Sequence, residues 1–234
     1  MDKIKISKFQ NREPSNHTRY LKTKLHQDMN KEAVDYFKDY SNKVTKPKFY
    51  HLTIRFDYST MRSLLPSERC DFSGYVYHGL WLRMHRRLGI KHPKKIKAGY
   101  DKYEFLLRTY EVIENRDRWG NPTDEHYHIV CAVHPAHHKK ITKEYWGNVI
   151  NSPRPFIFKD KSYFYEDVIH SLEVQEIPVP MKVNGYAYWK DWSQLEAVLD
   201  YDNKQASMSG DLFSSFTPIK ETNYGRPIIT GIAS

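Results

Sequence analysis

The sequence has 234 residues, enough for one domain with a sizeable core, with or without terminal extensions. Its 39% hydrophobic and 15% aromatic content points to a packed fold, and no run approaches the roughly 20 apolar residues that a membrane span needs. Lysine and arginine number 37 against 28 acidic residues, and this formal charge of +9 favours polyanionic partners through counterion release.

Residues 1–48 are polar and lysine-rich, with a helix expected over 19–40 and a stop at Thr45-Lys46-Pro47. They are expected to form a basic, partly helical extension. FYHLTIRF (49–56) has the aromatic and β-branched content of a strand. Tyr77, Leu80, Trp81, Met84 and Leu88 recur in steps of one, three and four, which predicts an amphipathic helix over 74–88, ended by Gly89. Arg83, Arg86 and Arg87 on that helix, followed by Lys94, Lys95 and Lys97, lie near Tyr77, Trp81, Tyr100 and Tyr103. Such a mixture suits phosphate contact combined with base stacking, so these six basic residues are the expected DNA contacts. Strands are expected over 102–113 and 126–133, joined as a hairpin by the polar turn ENRDRWGNPTDE. A short helix over 140–150, a strand over 171–179 and a helix over 192–204 follow, the last with Trp192, Leu195, Val198 and Leu199 on one stripe. The tail, 206–234, is expected to be irregular. The order β-α-β-β-α-β-α predicts an α+β fold, an antiparallel sheet with packed helices of the ferredoxin-like or RRM-like kind.

Within HYHIVCAV (126–133) the alternation of a strand puts His126 and His128 on one face and Tyr127, Ile129, Cys131 and Val133 on the other. Two imidazoles so placed can share a divalent cation, Mg²⁺ or Mn²⁺, when oxygen ligands complete the shell. Antiparallel pairing brings the end of the preceding strand alongside, and Glu111 there is the expected third ligand, with Glu114 the alternative. Near the end of the last expected helix, Tyr201 and Lys204 are three apart and share a helical face. A phenol there can attack phosphorus if a cation polarises the phosphate, and the lysine adds positive charge to the same region. The same Tyr-x-x-Lys spacing at Tyr40 and Lys43 shows that the pattern alone is common.

In their order along the chain, these stretches resemble the motifs of the HUH endonuclease superfamily, the metal-dependent tyrosine nucleases that initiate rolling-circle replication. FYHLTIRF resembles its first motif, a hydrophobic strand with a Leu-Thr core. HYHIVCAV resembles the second, His-hydrophobic-His, and YDNK at 201–204 the third. Tyr40 precedes all of them. The resemblance covers 49–205. It implies a single-tyrosine initiator of phage or plasmid type, similar to inovirus initiators, since the sequence holds no G-x-x-x-x-G-K-[ST] helicase loop. It further implies that His126, His128 and Glu111 hold the cation, that Tyr201 forms a 5′-phosphotyrosine, and that Lys204 positions phenol and phosphate. The implied partners are single-stranded or hairpin origin DNA and, in a bacterial host, a helicase and a DNA polymerase. A transposase or mobilisation relaxase would use the same chemistry, and a non-catalytic RRM-like module is the alternative of another class. Two cysteines, Cys70 and Cys131, match neither a disulfide framework nor a thiolate metal knuckle, and the first residues lack a secretory apolar segment. A reducing, cytoplasmic setting is therefore expected.

Overall fold

The computed structural model describes residues 4–7, 24–87, 107–116, 122–140, 143–203, 218–221 and 227–229. In chain order the elements are β1 (Ile4–Ser7), α1 (Lys24–Lys43), β2 (Lys48–Phe56), α2 (Tyr58–Ser63), α3 (Pro66–Arg87), β3 (Leu107–Arg116) and β4 (Pro122–Val133). They continue with α4 (Lys143–Ile150), β5 (Phe156–Phe158), β6 (Lys161–Tyr163), α5 (Tyr165–Val168), β7 (Ile169–Ile177), β8 (Met181–Asn184) and β9 (Ala187–Lys190). The last are α6 (Ser193–Asp202), β10 (Pro218–Glu221) and β11 (Pro227–Ile229).

Seven strands form one sheet in the order β1-β7-β2-β4-β3-β10-β11, antiparallel at every pairing except the parallel β1–β7 edge. The chain is thus an α+β protein, an antiparallel sheet with packed helices. Strands β2 and β4 lie at its centre, which explains their composition. On β4, Tyr127, Ile129, Cys131 and Val133 face one core while Val130 and Ala132 face another, so the strand is buried on both sides. The first core is closed by Phe72, Val76, Tyr77 and Leu80 of α3 and by Trp146, Val149 and Ile150 of α4. The second is closed by Ala33, Val34, Phe37 and Tyr40 of α1 and by Leu195, Val198 and Leu199 of α6. Each of these valine, leucine and isoleucine side chains stabilises the fold by about 1.5–3 kcal/mol on full burial.

Several elements differ from the sequence expectations, the short elements β1, α2, β5, β6, α5, β8 and β9 among them. Helix α3 begins at Pro66, ahead of the periodic stretch, because proline suits a first helical position and Glu68 accepts from the Leu65 N–H at 3.3 Å as a reciprocal cap. Helix α1, expected as part of an extension, packs on the sheet and buries Phe37 and Tyr40 completely. The tail expected to be irregular contributes β10 and β11, each begun by a proline, the strand position where a missing N–H costs least. No described helix is long and apolar enough to cross a membrane.

Candidate functional site

The second core ends in polar residues. On β2, Phe49 is followed on the same face by His51 and Thr53, and on β4, Ala132 and Val130 give way to His128 and His126. The register sets Thr53 opposite His128 and Arg55 opposite His126, so the two polar runs lie side by side. Helix α6 closes over them. Its buried stripe runs Leu195, Val198, Leu199 and then Asp202, one turn beyond the last leucine. A carboxylate thus occupies a core position, and such a group requires partners.

Those partners are the histidines. Asp202 Oδ1 lies 3.1 Å from His51 Nε2 and 3.5 Å from His128 Nδ1. The two imidazole nitrogens are 3.3 Å apart, and the rings stack within 4° of parallel. Thr53 Oγ1 stands 3.5 Å from His128 Nδ1. All three residues are buried, at 2, 4 and 1% exposure for His51, His128 and Asp202. A cation with bonds of about 2.0–2.2 Å to nitrogen and oxygen holds neighbouring ligand atoms roughly 3.0–3.5 Å apart. The observed triangle has those edges, and two imidazoles with one carboxylate form a recurrent donor set for divalent metals. His51, His128 and Asp202 could therefore hold a metal ion.

Tyr201, the neighbour of Asp202, is half-buried and meets His128 edge-to-face, with ring centroids 5.7 Å apart. His126, also half-buried, lies on another side of the same imidazole at 4.9 Å. These two rings form the rim of the cluster. The end of α6 is fastened from two sides. Asn203 accepts from the Tyr110 hydroxyl of β3 at 3.0 Å and donates to Asn30 Oδ1 of α1 at 2.7 Å. Asn30 in turn donates to Asp200 at 2.9 Å, and His26 Nε2 lies 3.2 Å from the same carboxylate oxygen.

Of the residues expected from the sequence, His126, His128 and Tyr201 come together. On β3 the register pairs Glu111 with Ile129, Val112 with His128 and Glu114 with His126. Of the two carboxylate positions weighed for the third ligand, Glu114 is therefore the one level with the histidine pair. Arg83, Arg86 and Arg87 sit on α3, across the sheet from the cluster, with the Arg83 guanidinium 4.9 Å over the Tyr165 ring and Arg86 and Arg87 exposed. Lys94, Lys95, Lys97 and Lys204 lie outside the described residues. Tyr40, the tyrosine of the upstream Tyr-x-x-Lys copy, is fully buried in the core between α1 and the sheet.

His51 and Asp202 were not picked out by sequence reasoning. Their signals were present: a histidine between Phe49 and Thr53 in strand alternation, and an acid three residues beyond Leu199 on an otherwise apolar stripe. No protein-family model, curated protein or solved structure matches the chain.

Proposed function

We propose that the chain is a metal-dependent endonuclease that nicks and rejoins single-stranded DNA, using Tyr201 as nucleophile, and that it initiates rolling-circle replication. The observation that carries this is the meeting of Tyr201 with a buried two-histidine, one-carboxylate cluster at the end of α6. The strand order β7-β2-β4-β3, with helices after β2 and β4, supports a ferredoxin-like sandwich, as the resemblance to HUH endonucleases implies. A non-catalytic RRM-like module fits less well. Such a module stacks bases on exposed sheet aromatics, whereas here His51, Thr53 and His128 occupy that face, buried under α6.

His51, His128 and Asp202 would hold the divalent cation, and the imidazoles favour Mn²⁺ over Mg²⁺. When bound, the cation would polarise a non-bridging oxygen of the scissile phosphate and offset charge in the transition state. His126, half-buried at the rim, would line the path by which DNA approaches, or supply a further ligand, with Glu114 level with it on β3. The Tyr201 phenolate oxygen would attack phosphorus after losing its proton to water. A bond forms between the tyrosine oxygen and the 5′-phosphate of the downstream fragment, the bond to the 3′ oxygen of the upstream fragment breaks, and that oxygen takes up a proton to leave a 3′-hydroxyl. Attack by a 3′-hydroxyl on the phosphotyrosine would reverse the step and join the strand.

The test uses a pool of labelled, hairpin-bearing single-stranded oligonucleotides with Mn²⁺, resolved on a denaturing gel. The wild-type protein should give a covalent adduct that EDTA prevents, and Tyr201→Phe should reduce it to background. His128→Ala should also abolish the adduct while leaving salt-sensitive DNA binding in place. An adduct of undiminished yield with Tyr201→Phe would remove Tyr201 from the nucleophile role.

A further inference from the structure

Strands β8 and β9 form a separate two-stranded hairpin immediately before α6. Its loop is only two residues, Gly185 and Tyr186. Gly185 has φ of +59°, a conformation that glycine adopts freely and that primed hairpin turns demand. The base of the hairpin is fixed. Asp191 N–H donates to the Pro180 carbonyl at 2.8 Å, Lys182 pairs with Asp191, and Lys190 Nζ donates to the Ser41 carbonyl of α1 at 2.9 Å. Trp192, just beyond, packs edge-on against Phe49 at 5.7 Å.

Beyond this base the hairpin exposes large side chains on both faces. Tyr186 at the tip is fully exposed at 102%, Tyr188 and Trp189 are 71% and 44% exposed, and Met181 and Val183 are exposed beside them. A two-stranded ribbon is at best marginally stable in water, and apolar groups shown on both of its faces point to a partner that covers them. The chemistry of the partner is written in the residue types. Three of the exposed groups are planar rings with polar edges, and 180–190 contains no aspartate or glutamate, while Lys182 and Lys190 are held at the base by Asp191 and Ser41. Exposed rings with no carboxylate among them, on a chain of net charge +9, complement a polyanion with flat, stackable bases.

We propose that the β8–β9 hairpin is an arm that grips single-stranded DNA by stacking unpaired bases on Tyr186, Tyr188 and Trp189. This assignment rests on the nuclease reading for its choice of DNA, and it deepens that reading by naming the element that holds the strand. The hairpin leads through Asp191 and Trp192 into the first turn of α6, the helix that carries Tyr201 near its other end.

The experiment measures binding of a fluorescently labelled 20-nucleotide oligothymidine by the full chain in EDTA, so that no cleavage intervenes. The Tyr186→Ala/Tyr188→Ala/Trp189→Ala variant should bind about ten-fold or more weakly with an unchanged salt slope, because stacking is lost and no charge is altered. Replacing the same three residues with phenylalanine should restore most of the affinity. Equal affinity in the wild-type protein and the alanine variant overturns the proposal, as does a failure of phenylalanine to rescue. Sedimentation of the two proteins supplies a further arm: a wild-type dimer that the alanine variant loses, with DNA affinity unchanged, assigns the surface to a second copy instead. Stacking-dependent binding without any Mn²⁺-dependent adduct would sustain the arm and reject the nuclease, so the two failures are distinguishable.

Discussion

Asp202 stands where an apolar side chain would continue the α6 stripe, and its burial makes it the most sensitive residue of the candidate site. Removing one partner of a buried ionic group costs about 3–5 kcal/mol, because the other is left without compensation. His51→Ala is therefore expected to destabilise the protein by several kcal/mol, which thermal melts would detect. Asp202→Asn keeps the volume but removes the charge and is the cleaner probe of metal binding. Mn²⁺ at 100 times its dissociation constant should stabilise the wild-type protein by about 2.7 kcal/mol, roughly 5–10 °C in melting temperature at this chain length. Asp202→Asn should lose that shift. A variant that melts at a Mn²⁺-raised temperature like the wild type would show that the carboxylate is not a ligand. His126 and His128 were legible in the sequence because i and i+2 share a strand face. His51 and Asp202 were not, because each stands alone and only the β2–β4 register and the docking of α6 join them.

At the scale of elements, α6 is the part that determines the site. Its apolar face buries Leu195, Val198 and Leu199, and the Asn203–Asn30 and Asn203–Tyr110 hydrogen bonds set its last turn against α1 and β3. The hydrophobic period revealed the helix, whereas these fastenings depend on residues 93 and 173 positions apart and carry no local pattern. The entry to α6 carries a pH dependence. The Lys182 ammonium and the hydrogen bonds from Ser193 hold the Asp191 carboxyl down to about 2. An unfolded aspartate titrates at about 3.9, so this contribution is fully present above that pH and is lost as pH falls through about 2. The residue is half-buried and open to solvent on one side, and the effect is correspondingly small. Between about pH 4 and pH 2, wild-type stability is expected to fall more steeply than that of Asp191→Asn, as measured by thermal melts. Superimposable pH profiles would show that this contact does not close the hairpin base. The β8–β9 hairpin itself escaped sequence reading because its strands are four residues each and lack an inside–outside alternation.

At the scale of the molecule, the sheet divides two tasks. One face, packed by α3 and α4, is a conventional apolar core, and the other joins an apolar half under α1 and α6 to a polar half that ends at Tyr201. The β-α-β-β-α-β-α order was legible because each core strand and helix has its own period and turn residues. The inclusion of α1 was hidden by its polar composition, although Met29, Ala33, Val34, Phe37 and Tyr40 make one buried face at helical spacing. The covering of the second face sharpens the functional claim, because a cation between His51, His128 and Asp202 would be reached from the rim where Tyr201 and His126 stand. Mass spectrometry of the peptide bearing the DNA adduct formed in Mn²⁺ tests this most directly. A nucleotide 5′-phosphate on Tyr201, absent after EDTA, is the expected result; an adduct on any other residue, or none with DNA bound and Mn²⁺ present, would exclude Tyr201 as the nucleophile.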